Sequence, residues 1–329
     1  EDLTRLKASG LGEGVILFRD RTVPSGSGET WVFWVLEGDA EEALDLARRT
    51  GVRLQFSHLI FVGRRTWKTV EAALTLFQRA QGEGLDVGFD TFHHAWGASL
   101  IHVVLPPWFL ARLPGAYTRR AARLRLRGEL AAMERLLGFG FDDIVVAEAG
   151  HPDHARCNGL SLAEIAARRG RSPFDTLLAL AAASGGQTRV LMRRYNTPEI
   201  VRELVRRPEA LLMTDAWVEP AGTQNPGAYG AFPGFLQAAR EHGHVRLEEV
   251  VHKMTGASAA RFGLRDRGRL EAGMAADVTV FDPRTVADGT TPGATDRPPG
   301  GIGHVLVNGQ AALVDGRPVP GVRAGQVLR

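Results

Sequence analysis

The chain has 329 residues, enough for one large α/β barrel or for two domains. Apolar content of 44% and charged content of 23% fit an ordinary globular protein, and 40 basic against 37 acidic residues leave a net charge of only +3, too balanced to argue for nucleic acid or an anionic membrane as partner. The single cysteine, Cys157, excludes an internal disulfide framework and fits a reducing, cytoplasmic setting; no apolar run reaches the ~18 residues that span a bilayer.

The chain opens without methionine in charged, helix-like sequence that has no signal-peptide pattern, which suggests a processed or truncated polypeptide. SGSG at 25–28 reads as a flexible linker or a surface turn. From there short apolar runs alternate with amphipathic stretches. VFWVLE (32–37) precedes the helix-like DAEEALDLARRT; VRLQFSH (52–58) precedes TVEAALTLFQRAQ; LDVGFD (85–90) follows. After the Pro-rich LPPWFLARLP comes a basic stretch, YTRRAARLRLRGEL (117–130), whose spacing predicts a helix with a solvated face. DDIVVAEA (142–149), helices near 161–169 and 174–183, TRVLM (188–192), a helix over 198–206 and ALLMTD (210–215) complete the series.

Strands alternating with helices at this spacing argue for parallel strands joined by crossover helices. The runs read as apolar throughout, as expected when both sheet faces are covered. A (β/α) barrel fits best, with a doubly wound sheet as the alternative; no GxGxxG loop follows the early strands to support nucleotide binding. The last stretch changes character. ADVTVFD, GHVLVNGQAALVDG and the Pro/Gly/Thr-rich segment between them (289–303) read as short strands and turns, so residues 1–264 are expected to form the barrel portion and 265–329 a small β-rich module.

In a parallel barrel, functional side chains project from the C-terminal ends of strands. Four such ends are polar: Ser57-His58, Asp90 with His93 and His94, Glu148 to His154, and Asp215. Histidines and carboxylates from separate strands are the ingredients of a metal-hydrolase site, in which an aspartate moves a proton from water to the leaving nitrogen. Each has a plainer reading. His58 suits a strand-end hydrogen bond, Asp215 a helix cap, and HPDHARC (151–157) a turn, because its H-x2-H-x2-C spacing is no standard zinc signature. Adjacent His93 and His94 point opposite ways if extended, so only one can line a given pocket.

Several stretches together resemble the metal-dependent amidohydrolase superfamily, in its N-acyl-D-amino-acid deacylase branch: LQFSHL, LDVGFDTFHHAWGASL with LPPWF, LLMTDAW, NPGAYGAFPGFL, and above all HKMTGASAARFGLRDRGRLEAGMAADVTVFDP with GIGHVLVNGQ. The resemblance covers most of residues 39–329. It implies a (β/α)8 TIM-barrel-like fold, here without its first strands, completed by a small C-terminal β-sandwich module, as in the later part of a longer chain. It also implies hydrolysis of a C–N amide bond in a small-molecule substrate, a divalent metal such as zinc with His58 as a ligand, and Asp215 as the catalytic general acid/base.

The sequence departs from the family pattern at several places. No histidine precedes position 58, and Phe33 or Trp34 stands where a ligand is expected. Cys157 falls too late to be the branch's cysteine ligand, so an unusual donor such as His93, His94 or His151 would have to complete the metal shell. The lysine that often follows the ligand histidine is Ile60, and the arginine expected in the later loop is Gly227, which removes two groups able to grip a carboxylate. His93, His94, Trp96, Tyr195, Trp217 and Asn225 are then the expected substrate contacts, with aromatic walls suited to a bulky or less anionic substrate. Two further expectations follow from missing barrel strands: a second copy or a partner chain covering the open edge, and, as the alternative function, an incomplete amidohydrolase-like subunit that binds or assembles rather than catalyses.

Overall fold

A computed structural model describes residues 15–16, 30–35, 40–219 and 222–327; for 15–16 and 30–35 it describes the backbone alone, and SGSG and residues 36–37 lie outside it. The first sheet joins the short β1 (Val15–Ile16), β2 (Thr30–Val35), β3 (Arg53–Ser57), β4 (Val87–Phe92) and a much later strand, β8 (Ala210–Met213). Strands β2, β3, β4 and β8 run parallel, and β1 pairs antiparallel at the edge. Helices α1 (Ala40–Thr50) and α2 (Val70–Gly82) follow β2 and β3, as the alternation predicts.

Those helices bury Leu44, Leu74 and Phe77 against Leu54, Phe56, Val87 and Phe89. The Phe77 ring lies edge-on to Phe56 at 4.9 Å and 5.2 Å from Phe89. Successive strand side chains alternate in direction, so Gln55 and Asp90 fall on the opposite face, and both are buried there. The strands are therefore not uniformly apolar, as the runs suggested. On β3 and the first part of β4 the face toward the helices is apolar, and the inner face away from them carries Gln55 and Asp90.

Parallel pairing fails for the stretch between β4 and β8. There β5 (Gly97–Leu100), β6 (Ile144–Glu148) and β7 (Arg189–Met192) form a separate antiparallel sheet in the order β5-β7-β6. The runs at 142–149 and 188–192 are strands, but not barrel strands, because a short apolar run does not encode the direction of its neighbour. The same segment carries α3 (Arg120–Leu137), α4 (Leu162–Arg169) and α5 (Pro173–Ala183) around a core that includes Ile101, Phe109, Leu126, Val146, Leu162, Leu177 and Val190. Basic α3 buries only Leu126, which bears out its solvated face. Helix α4 starts in a capping box: the Glu164 amide donates to Ser161 Oγ at 3.2 Å, and the Ser161 amide to Glu164 Oε2 at 2.7 Å.

The chain leaves this insert beside where it entered: the amides of Tyr195 and Asn196 donate to Ala95 O at 3.0 and 3.4 Å. Helix α6 (Pro198–Arg206) then leads into β8, which pairs with β4 from Phe89↔Ala210 to Phe92↔Met213. Helices α7 (Gly227–His242), α8 (Leu247–Met254) and α9 (Gly256–Arg261) follow. The chain closes with an antiparallel sheet of β9 (Val278–Phe281), β10 (Ile302–Val307), β11 (Gln310–Val314) and β12 (Arg317–Pro318), inside the region expected to be β-rich. Its two hairpins turn on Asn308-Gly309 and Asp315-Gly316, all four at positive φ, the torsions a two-residue turn needs to match strand twist. Among the described residues no helix is long and apolar enough to cross a membrane.

Candidate active site

Strand β4 lies between β3 and β8, so the ends of those two strands place His58 and Asp215 on either side of it. Both residues adopt left-handed backbones, φ 39° at His58 and 45° at Asp215, a region most side chains avoid. The His58 amide donates to Asp90 Oδ1 at 2.5 Å, and the Leu59 amide to Asp90 O at 2.7 Å. Asp90 Oδ2 accepts from Gln55 Nε2 at 3.0 Å, and Gln55 Oε1 accepts from Arg261 Nε at 2.9 Å. Arg261 also donates to Leu54 O and Asp86. On the other side, Asp215 O accepts from Asn225 Nδ2 at 2.9 Å, while Asn225 Oδ1 accepts from the Gly227 amide at 2.9 Å.

The acidic groups of this site sense one another. Burial pushes the Asp215 carboxyl above the usual range, against the pull of His58's charge. Burial raises Asp90 too, and Asp215's charge adds to it, while the bonds from the His58 amide and Gln55 act the other way. Tyr195 is raised by burial and, again, by Asp215. Its hydroxyl donates to Met192 Sδ at 3.2 Å, and its ring packs so close to Gly97 that a Cβ there would meet it at 2.5 Å.

The other expected residues have contacts of their own. His93 packs its ring against Phe235 at 5.3 Å and against Gly234, in the layer under α7. His94 Nε2 is 2.8 Å from Asp288 Oδ2 and 3.2 Å from Thr290 Oγ1, which ties the end of β4 to the C-terminal segment. Trp96 stacks 5.1 Å from His94 and packs on Val145, Ala147 and Leu191 of the insert. Trp217, 44% exposed, donates to Glu219 Oε1 at 2.6 Å. His151 has local contacts, accepting from the Asp153 amide at 3.3 Å and lying 5.6 Å from the His154 ring. Asn225 commits its carboxamide to backbone on both sides. Gly227 approaches Thr214 so closely that a Cβ would stand 2.2 Å from its carbonyl oxygen, so no side chain of any kind fits there.

Among the described residues, no group of three or more histidine, cysteine, aspartate or glutamate side chains could hold a metal ion. Among those residues no such group forms around His58, and none of His93, His94 and His151 supplies one. The sequence also left Gln55 and Arg261 out of the site. The signal was present in RLQFS, where a glutamine alternates with the two side chains that face the helices.

The model of the amidohydrolase family matches residues 130–312, more than half of the chain and inclusive of Asp215 and Asn225. Among curated proteins, the N-acyl-D-glutamate deacylase of Alcaligenes xylosoxydans xylosoxydans is 32% identical over 299 residues, covering 89% of this chain and 52% of the relative. The D-aminoacylase of the same organism is 39% identical over 172 residues, covering 52% of this chain and 34% of the relative. The chain thus spans about half the length, or less, of these relatives. Among solved structures, an N-acyl-D-glutamate deacylase from Bordetella Bronchiseptica, complexed with zinc and a phosphonate mimic of the tetrahedral intermediate, aligns with a TM-score of 0.64 at 27% identity, covering 84% of this chain and 51% of that one. A D-aminoacylase structure aligns at 0.66 with 26% identity, covering 87% and 52%. With the family match running through the loop that holds Asp215 in place, the chain belongs to the amidohydrolase family.

Proposed function

We propose that the chain carries the later part of a (β/α) barrel, up to about residue 264, with a β-rich module after it, and that it serves hydrolysis of the amide bond of an N-acyl-D-amino acid. The reading rests on one observation: a carboxyl raised by burial, Asp215, stands at a strand end beside the turn of His58. A carboxylate with an elevated pKa is matched to general acid/base work near neutrality. Asp215 takes the proton of the attacking water and returns it to the leaving nitrogen, so the C–N bond breaks without expelling an amide anion. Tyr195 walls the site on the insert side.

A divalent ion, zinc in the related Bordetella deacylase, would take His58 as a donor. The described residues do not complete such a shell, so no step is assigned to it. The relatives, an N-acyl-D-glutamate deacylase, a D-aminoacylase and an N-acyl-D-aspartate deacylase, support this substrate class, while the backbone contact at Gly227 means that no side chain from that position reaches a substrate carboxylate.

The test is turnover of N-acetyl-D-glutamate, -aspartate and -leucine by the protein and by Asp215→Asn. The expected loss in kcat is about 100- to 10,000-fold, the usual contribution of a positioned acid/base. Undiminished turnover by Asp215→Asn would overturn the assignment.

A further inference from the structure

The turns that carry Asp215 and His58 are built alike. Each strand-end residue has a left-handed backbone, and such strain persists only where the surroundings over-determine it. Each is met by one buried side chain from elsewhere: Asp90, 7% exposed, from the neighbouring strand, and Asn225, 6% exposed, from the start of the next helix. Asp90 accepts a hydrogen bond from the His58 amide, and Asn225 donates one to the Asp215 carbonyl.

We propose that Asp90 and Asn225 are positioning residues: each fixes one left-handed turn, and together they set how the Asp215 and His58 side chains stand relative to each other. The inference rests on Asp215 being the acid/base. Both clamps act within the protein. Asn225 already serves Asp215 O and the Gly227 amide, and Asp90 lies on the inner face beneath the turn, between the His58 amide and Gln55.

The direction of every bond on the Asp90 side is fixed by Arg261, which can only donate. Gln55 must turn its oxygen to Arg261, so its amide nitrogen faces Asp90, and Asp90 must accept from both Gln55 and His58. A carboxamide in place of the Asp90 carboxylate would accept from one of them and oppose the other with its own donor. A second change, Gln55→Glu, reverses one bond. Arg261 then donates to the carboxylate introduced at position 55, and the carboxamide introduced at position 90 donates to that same carboxylate. The carboxamide oxygen is left to accept from the His58 amide, with the net charge unchanged.

The experiment combines kinetics on N-acetyl-D-glutamate with crystal structures, for Asn225→Asp, Asp90→Asn, the Gln55→Glu/Asp90→Asn pair, and Asp215→Asn as reference. Asn225→Asp keeps the acceptor for Gly227 and removes the donor to Asp215. Misplacement of a reacting group by about 1 Å costs up to about 100-fold, so both single variants should lose about 10- to 100-fold in kcat. KM should stay within about threefold, since ground-state binding is untouched. The double variant should recover most of the loss, and Asp215 in Asn225→Asp should leave its left-handed torsion. A raised KM with kcat intact, a double variant no better than Asp90→Asn, or an unmoved Asp215 torsion each overturns the proposal. If Asp215→Asn turns over normally the acid/base reading is what fails, and the Asp215 torsion in Asn225→Asp still decides the clamp.

Discussion

The imidazole of His93 lies between the end of β4 and the first half of α7, beside Phe235 and against Gly234, whose Cβ, if it had one, would stand 2.2 Å from the ring. Burial pulls its pKa from 6.5 down to about 4, with His94's charge adding to the effect and Asp288 opposing it. The unfolded chain therefore binds this proton more tightly than the folded one. The stability it contributes is complete above about pH 6.5 and is lost as pH falls toward about 4, a difference of about 3 kcal/mol. Urea midpoints taken from pH 7 to pH 4 should fall for the protein, and the fall should be shallower for His93→Leu; parallel curves would refute the assignment. At this scale the sequence showed which residues end strands, and so singled out His58 and Asp215. It could not show what His93 and His94 face, because that depends on α7 and on Asp288, nearly two hundred residues downstream.

Strand β8 is only four residues long, yet it brings Asp215 to the site. Its start is held by Lys253 of α8, 3% exposed, whose ammonium donates to Arg207 O at the end of α6 and to Ala210 O at 3.3 Å. A cation suits that place, because the unpaired carbonyls at a helix C-terminus carry partial negative charge. Burial lowers the lysine's pKa, with Glu249 and Glu209 acting against it. Lys253→Met keeps the stem and removes both bonds, and should lower stability by about 2 kcal/mol in denaturant unfolding; a change below about 0.5 kcal/mol would show that the anchor is dispensable. The apolar run of β8 was legible. The anchor was not, since an isolated lysine in an amphipathic stretch reads as a solvated one. The direction of β6 and β7 was hidden for a related reason: a sheet partner is a property of the fold and not of the run.

Across the whole molecule, the parallel strands and the C-terminal segment meet at His94 and Asp288. Asp288 also accepts from the Thr290 amide at 2.7 Å, its own amide donates to Gln237 of α7 at 2.9 Å, and its carboxylate occupies the space a Cβ on Gly230 would need. Burial alone would raise this carboxyl; the bonds from His94 and Thr290 bring it below the usual range. Removing one member of such a pair leaves the other buried without its partner, so Asp288→Ala should cost about 3 kcal/mol and Asp288→Asn, which keeps an acceptor, about 1. Thermal unfolding of the two variants checks the order, and equal losses would refute it. The series of strands and helices and the β-rich ending of short strands and turns were readable from spacing and composition. The insertion between β4 and β8 was not, because it uses the same alternation of strand and helix as the parallel sheet around it.

That insertion begins and ends at residues hydrogen-bonded to each other, Ala95 with Tyr195 and Asn196, so topologically it is one very large loop on a hairpin-tight neck. The entropy of closing a loop grows only logarithmically with its length. Exchanging this cassette for a shorter or longer one would hardly alter the cost of pairing β4 with β8. A stretch of chain so free to change in size is thus tied at its neck to Tyr195, which feels the charge of Asp215, and this makes it a natural place for a lineage, or an engineer, to swap what the site admits.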